Sequence, residues 1–245
     1  MPFYLRFVLR EFRLETLVEH ERRLVILRVR TDARSIAILA IFAAIVLALE
    51  LVPIPFLTDI PLFGGFTLDP TGIPIAILFL AFGTIFAIIL LLIMGIAIGY
   101  RNPIGATFKL FAEFYTLLGL IIAYVILRKH GHDWKVAAPL YIVFGVTFRA
   151  VGMYVTNIFL IQWLYGMPQE TAIVLSATFV IPNVIQALIN TIVGILIFIV
   201  IPENLKIEAR FGKYNDAFYD AYEEISADEL ESIDDERQAS SANSN

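Results

Sequence analysis

The sequence contains no cysteine, which excludes disulfides, thiolate metal sites and thiol catalysis. Charge is scarce as well: 17% of the 245 residues are Asp, Glu, Lys or Arg, against 59% hydrophobic, where a soluble domain usually carries more charge. Histidine is limited to His20, His130 and His132, all outside the apolar runs, which argues against an intramembrane haem or zinc centre. There is no G-x-x-x-x-G-K-[S/T] phosphate loop, so the chain is not expected to hydrolyse ATP. No serine-nucleophile motif and no intramembrane carboxylate pair is visible, so no catalytic residue, metal ligand or cofactor is assigned. Nothing in the composition points to nucleic acid.

Long apolar stretches are what the chain has in abundance. They fall at about residues 35–52, 72–100, 105–127, 136–165 and 176–201, and the mean hydropathy is +0.79. Runs of about 20 apolar residues match a hydrocarbon layer of ~30 Å, so the sequence predicts an all-α integral membrane protein. As one helix the second stretch would run about 43 Å, well beyond that layer. It contains Phe82-Gly83-Thr84, a natural break. Splitting there gives segments at about 72–82 and 84–100, and a six-transmembrane-helix bundle. The positive-inside rule agrees. Six spans with the Arg-rich start inside place fourteen Lys and Arg in the cytoplasm and only Arg101 outside, whereas five spans give nine and six. The expected protein is therefore multi-pass in the cell membrane, with both termini cytoplasmic. Trp134 and Trp163 would flank the fifth span as interfacial aromatics. The long extracytoplasmic loop, residues 53–71, has too much Pro and Gly for a continuous helix and reads as a structured cap or as a connector.

The membrane domain, 35–201, is flanked by unlike segments. Residues 1–34 carry eight Arg and five acids, a basic amphipathic start that fits the cytoplasmic surface of an anionic leaflet. Charge interrupts this segment every few positions, so it does not read as a cleavable signal. Residues 202–245 carry twelve acids and four bases, an acidic cytoplasmic tail whose end, QASSANSN, reads as disordered.

Polar side chains at membrane depth are costly, and here they crowd the outer half. In the six-span topology Glu50 ends the first span. Lys109 and Glu113 lie early in the fourth, where their i, i+4 spacing lets them pair. Arg149, Met153 and Asn157 form one stripe of the fifth span, and Asn183, Gln186 and Asn190 form one of the sixth. Lys109, Glu113 and Arg149 either neutralise one another between helices or meet a ligand. Asn190 reads as an interhelical donor and Met153 as packing, whereas Asn157, Asn183 and Gln186 are candidate ligand contacts beneath the loop. The inner halves are almost purely apolar, so the pattern describes a cup open to the outside that needs a partner for delivery. Ala40 and Ala44, four apart on the first span, would let a partner helix approach closely. Gly95 and Gly99 repeat the device on the third span, and internal packing is the reading preferred for them.

These residues resemble the substrate-binding S components of energy-coupling factor (ECF) vitamin transporters, most closely the riboflavin-type branch. The Ala-x-x-x-Ala span followed by PIPFL looks like that family's first helix and loop. LDPTGIP at 68–74 is similar to its D-F-S-D-V-P stretch, with Asp69, Thr71 and Pro74 on matching positions. Phe82-Gly83, Pro103-Ile104-Gly105, Arg149-x-x-x-Met153-x-x-x-Asn157 and Pro182-Asn183-x-x-Gln186 with Asn190 follow in the family's order. The resemblance covers about residues 35–201. It implies a non-enzymatic subunit that captures riboflavin or another small vitamin from outside, through Asp69, Thr71, Lys109, Glu113, Asn157, Asn183 and Gln186. It also implies that Ala40 and Ala44 dock a transmembrane coupling subunit, which works with two ATPase subunits. Gln186 replaces the family's Lys, Ala106 a common Glu, Lys109 a usual Asn, and Gly72 the second Asp of the loop motif.

Overall fold

The computed structural model describes residues 33–52, 60–61, 67–127 and 134–212. The expectations for the basic start up to residue 32, for most of the 53–66 loop and for the acidic tail beyond 212 lie outside these residues. The chain is a multi-pass α-helical membrane protein. Five of its helical segments are long and apolar enough to cross a bilayer: Ala33–Leu51 (α1), Thr84–Arg101 (α3), Pro103–Leu127 (α4), Trp134–Tyr165 (α5) and the path Gln169–Val200. That last path is two helices, Gln169–Thr178 (α6) and Val180–Val200 (α7), meeting at Phe179. Pro182 lies in the first turn of α7, where its missing N–H and its ring disturb the ladder towards residue 178. A shorter apolar helix, Gly72–Phe82 (α2), precedes α3, and Glu203–Ala209 (α8) follows α7.

The break between α2 and α3 falls at Gly83, as the sequence predicts. Its φ of 87° and ψ of −167° belong to a region that only glycine occupies readily. Its N–H still donates to the Phe79 carbonyl at 2.8 Å, closing α2 before the chain turns.

Helices α2, α3, α4, α5 and α7 form a closed ring, each packed on the next, with α7 returning to α2. Helix α1 leans on α3 from outside, and α6 leans on α5. Within the ring α2 is the most enclosed element: nine of its eleven residues are buried. This explains why its sequence is apolar all round, because a helix covered on every side has no face to give to water. Helix α3 presents Ile88, Leu92, Ile96 and Tyr100 outward at four-residue spacing, a lipid-facing stripe. Gly95, on its inner side, faces the Leu110 side chain of α4, so it packs the bundle as expected.

The two ends of the ring differ in chemistry. At the end where α2 meets α3, Phe82 stacks on Phe86 with centroids 5.0 Å apart and meets Phe211 edge-on at 5.1 Å. Trp134 tilts against Phe198 at 5.7 Å. Lys206 of α8 sits 5.1 Å over the Phe198 ring and donates to the Ile199 carbonyl at 3.2 Å. Arg34, opening α1, donates to the Glu208 carbonyl, which ties α1 to the same end. This end is an aromatic plug with cations at its rim. The exposed Trp163 marks the opposite end of α5, while Trp134 is drawn into the plug.

Candidate functional site

The opposite half holds the polar side chains, in two connected layers. The deeper one lies near the middle of α4, α5 and α7. Arg149 donates through Nη1 to Glu113 Oε1 at 2.5 Å and to Thr116 Oγ1 at 3.3 Å, and through Nε to Asn183 Oδ1 at 3.2 Å. Asn190 donates to the same Glu113 oxygen at 3.2 Å. Arg149 and Glu113 are 3% and 2% exposed, so this ion pair is shielded from water and lipid alike. A buried charge is tolerated only when paired and hydrogen-bonded, and the amides meet that need.

The upper layer is built around Lys109, seven residues into α4. It bonds to Glu50 at the end of α1 and lies 2.9 Å from Asp69 Oδ1. Two carboxylates thus share one ammonium, a pairing the sequence does not reveal because its members are far apart in the chain. Asp69 also accepts from the Thr71 hydroxyl and, at 3.1 Å, from the Thr71 N–H, an Asx-type turn that launches α2. Gln186 of α7 clips the Asp69 main chain from both sides. Its amide donates to the Asp69 carbonyl, and its Oε1 accepts the Asp69 N–H at 3.2 Å. Gln186 Nε2 also reaches Asn190 Oδ1 at 3.2 Å, which joins the two layers.

The loop above is partly ordered by its own backbone. Ile60–Pro61 (β1) and Thr67–Leu68 (β2) pair antiparallel, with Ile60 opposite Leu68 and Pro61 opposite Thr67. The described part of the 53–71 segment therefore carries a short hairpin, and Gln186 holds its exit. Gly72 follows at once and is buried against the lower layer. A Cβ there would collide with the Asn190 amide and lie 2.6 Å from Glu113 Oε2. The absence of a side chain at 72 is what lets α2 begin against the deeper layer.

Among the seven binding residues expected from the sequence, Asp69, Thr71, Lys109 and Gln186 meet in the upper layer. Glu113 and Asn183 meet in the lower one through Arg149. The expected pairing of Lys109 with Glu113 is replaced by separate partners, because Glu50 and Asp69 hold Lys109 while Arg149 and Asn190 hold Glu113. Asn157 stands apart, 3% exposed, and its Oδ1 has no hydrogen-bond partner among the described residues. Asn190 acts as the interhelical donor expected of it, and Met153 packs at 3% exposure. Glu50 and Gly72 belong to the constellation although the sequence does not single them out as contacts, while Arg149 neutralises Glu113 between helices, one of the two roles the sequence leaves open for it. Only the placement of Glu50 at the end of an apolar span hints at its part. Ala40 and Ala44 are exposed on the outer face of α1 and do not pack inside the bundle.

No family model, no curated protein and no solved structure matches the chain. The reading of the site therefore rests on its own residues.

Proposed function

We propose that this protein is the solute-capture (S) subunit of an ECF-type, ATP-driven vitamin importer. In this reading it spans the cell membrane six times, with α2 as the short second span and both termini cytoplasmic. It binds riboflavin or another small vitamin from the outer face beneath the 53–71 loop, and performs no chemistry on it. A transmembrane coupling subunit and two ATPase subunits drive release. The observation that carries the reading is the asymmetry of the ring: a two-layered polar network under a clipped hairpin at one end, an aromatic plug at the other. A self-sufficient transporter or channel needs polar lining through both halves.

Purified protein in lipid nanodiscs is expected to bind one member of a broad vitamin panel with submicromolar affinity, read by calorimetry and thermal shift. A flavin ligand would also colour the preparation yellow. A panel that gives neither heat nor shift would rule the capture reading out.

The exposed face of α1 supports the partner half of the proposal. Ala37, Ala40, Ala44 and Ala48 lie on it without a neighbour's cover, and small residues at such spacing allow close helix approach. Replacing Ala40 and Ala44 with leucine should abolish uptake in cells while leaving vitamin affinity unchanged. Loss of affinity as well would assign these alanines to bundle packing and remove the docking role.

A further inference from the structure

Resting on the capture reading above, we propose that the ligand carries a positively charged nitrogen, as an organic ammonium or an N-alkylated heteroaromatic ring does. The charge inventory of the polar half comes first. Glu50, Asp69 and Glu113 face Lys109 and Arg149, so the described residues of the two layers hold one more acid than base. A net charge in a low-dielectric bundle is costly until something of opposite sign neutralises it.

Neither cation is free to receive an anionic ligand. Arg149 is taken by Glu113, Thr116 and Asn183, and Lys109 by Glu50 and Asp69. An anion would have to displace a carboxylate and then sit beside the surplus negative charge.

The unmet hydrogen-bonding capacity points the same way. Asn157 Oδ1 is an acceptor without a partner on a side chain 3% exposed. It shares the buried stripe of α5 with Arg149 and Met153. The α4–α5 register follows from Tyr115 bonding Thr156 at 2.8 Å and from Gly119 lying against Phe144 and Gly145. By the Tyr115–Thr156 bond, Asn157, one residue further on, lies about level with the Glu113–Phe114 turn of α4. An orphan carbonyl oxygen on the buried stripe that also carries Arg149 suits a ligand that donates N–H bonds or carries positive charge.

The test compares probes of different charge on the intact chain in nanodiscs. Calorimetry would use thiamine, choline and pyridoxamine as cation-bearing probes, riboflavin and pyridoxine as neutral ones, and biotin and pantothenate as anionic ones. The tightest binder is expected among the first group, by about a hundredfold over any neutral probe and by more over any anion, the hundredfold being the Boltzmann factor for unit charges some 6 Å apart at an effective dielectric near 20. Glu50→Gln, which cancels the surplus and leaves Asp69 on Lys109, should then weaken that binder at least tenfold. A neutral or anionic probe binding tightest overturns this inference and leaves the capture reading standing. An unchanged affinity in Glu50→Gln overturns it too. If no probe of any charge binds, the capture reading falls and this inference with it.

Discussion

Arg149→Met is expected to destabilise the bundle by about 3 kcal/mol, whereas Arg149→Met combined with Glu113→Leu should cost much less. The single change leaves the Glu113 carboxylate buried at 2% exposure with Asn190 as its remaining partner. Removing one member of a buried ion pair typically costs about 3–5 kcal/mol, most of it the penalty of the abandoned charge. Replacing both members by apolar groups removes that penalty. The lower end of the range is the better guide here, because the unfolded reference state in a membrane also finds partners for its polar groups. An ordinary interhelical hydrogen bond in a membrane is worth about 0.6 kcal/mol on average, so loss of the Asn183 and Thr116 contacts cannot account for an effect of this size. Denaturant titrations of the reconstituted variants would check it. A double variant as unstable as the single one would show that shape, not charge, holds this layer.

Gly72→Ala should be nearly as damaging, from the addition of one methyl group. Its Cβ would displace the Asn190 amide and press on Glu113 Oε2. Asn190 cannot swing away freely, since it donates to Glu113 and accepts from Gln186. Overpacking of a filled interior costs about 1–3 kcal/mol, and an unsatisfied buried carboxylate adds to it. The expected outcome is a lower unfolding temperature together with loss of ligand affinity, because the shift travels through Gln186 to the Asp69 clip. Adding Asn190→Ser, which frees the space, should restore part of the stability. Wild-type stability and affinity in Gly72→Ala would mean that α2 can withdraw from the polar layer at little cost.

Much of the architecture was legible before any coordinates. Apolar length announced the membrane, and Gly83 announced the break, because both signals act through local chemistry that a short window of sequence contains. The partition of polar residues into one half was legible for the same reason, since their positions along each span follow from counting. The pairings were legible only in part: Arg149 against Glu113 is one the sequence leaves open, Glu50 and Asp69 on Lys109 are not. Lys109 and Glu113 are neighbours on one helix face, and local spacing favours their joining, yet three-dimensional packing brings Glu50 from 59 residues away and Arg149 from 36. Helix neighbours compete with partners supplied by the ring, and the ring order is not written in any one segment. The Gln186 clip was equally hidden, because it reads the main chain of Asp69 and so leaves no side-chain signature. Gly72 stood out in the sequence only as a missing acid; its structural meaning is a missing obstacle.

The half-length of α2 has one more consequence. Eleven residues make a helix about 16 Å long, roughly half a hydrocarbon layer. Its C-terminus belongs to the aromatic plug and its N-terminus to the Glu113–Asn190 layer, midway along α7. The depth to which the polar network reaches is therefore set by a backbone dimension, the point where α2 begins, and not by the bulk of the side chains around it. On the capture reading proposed above, substitutions among those side chains would retune which solute fits while that level stays fixed, so selectivity and depth could drift independently.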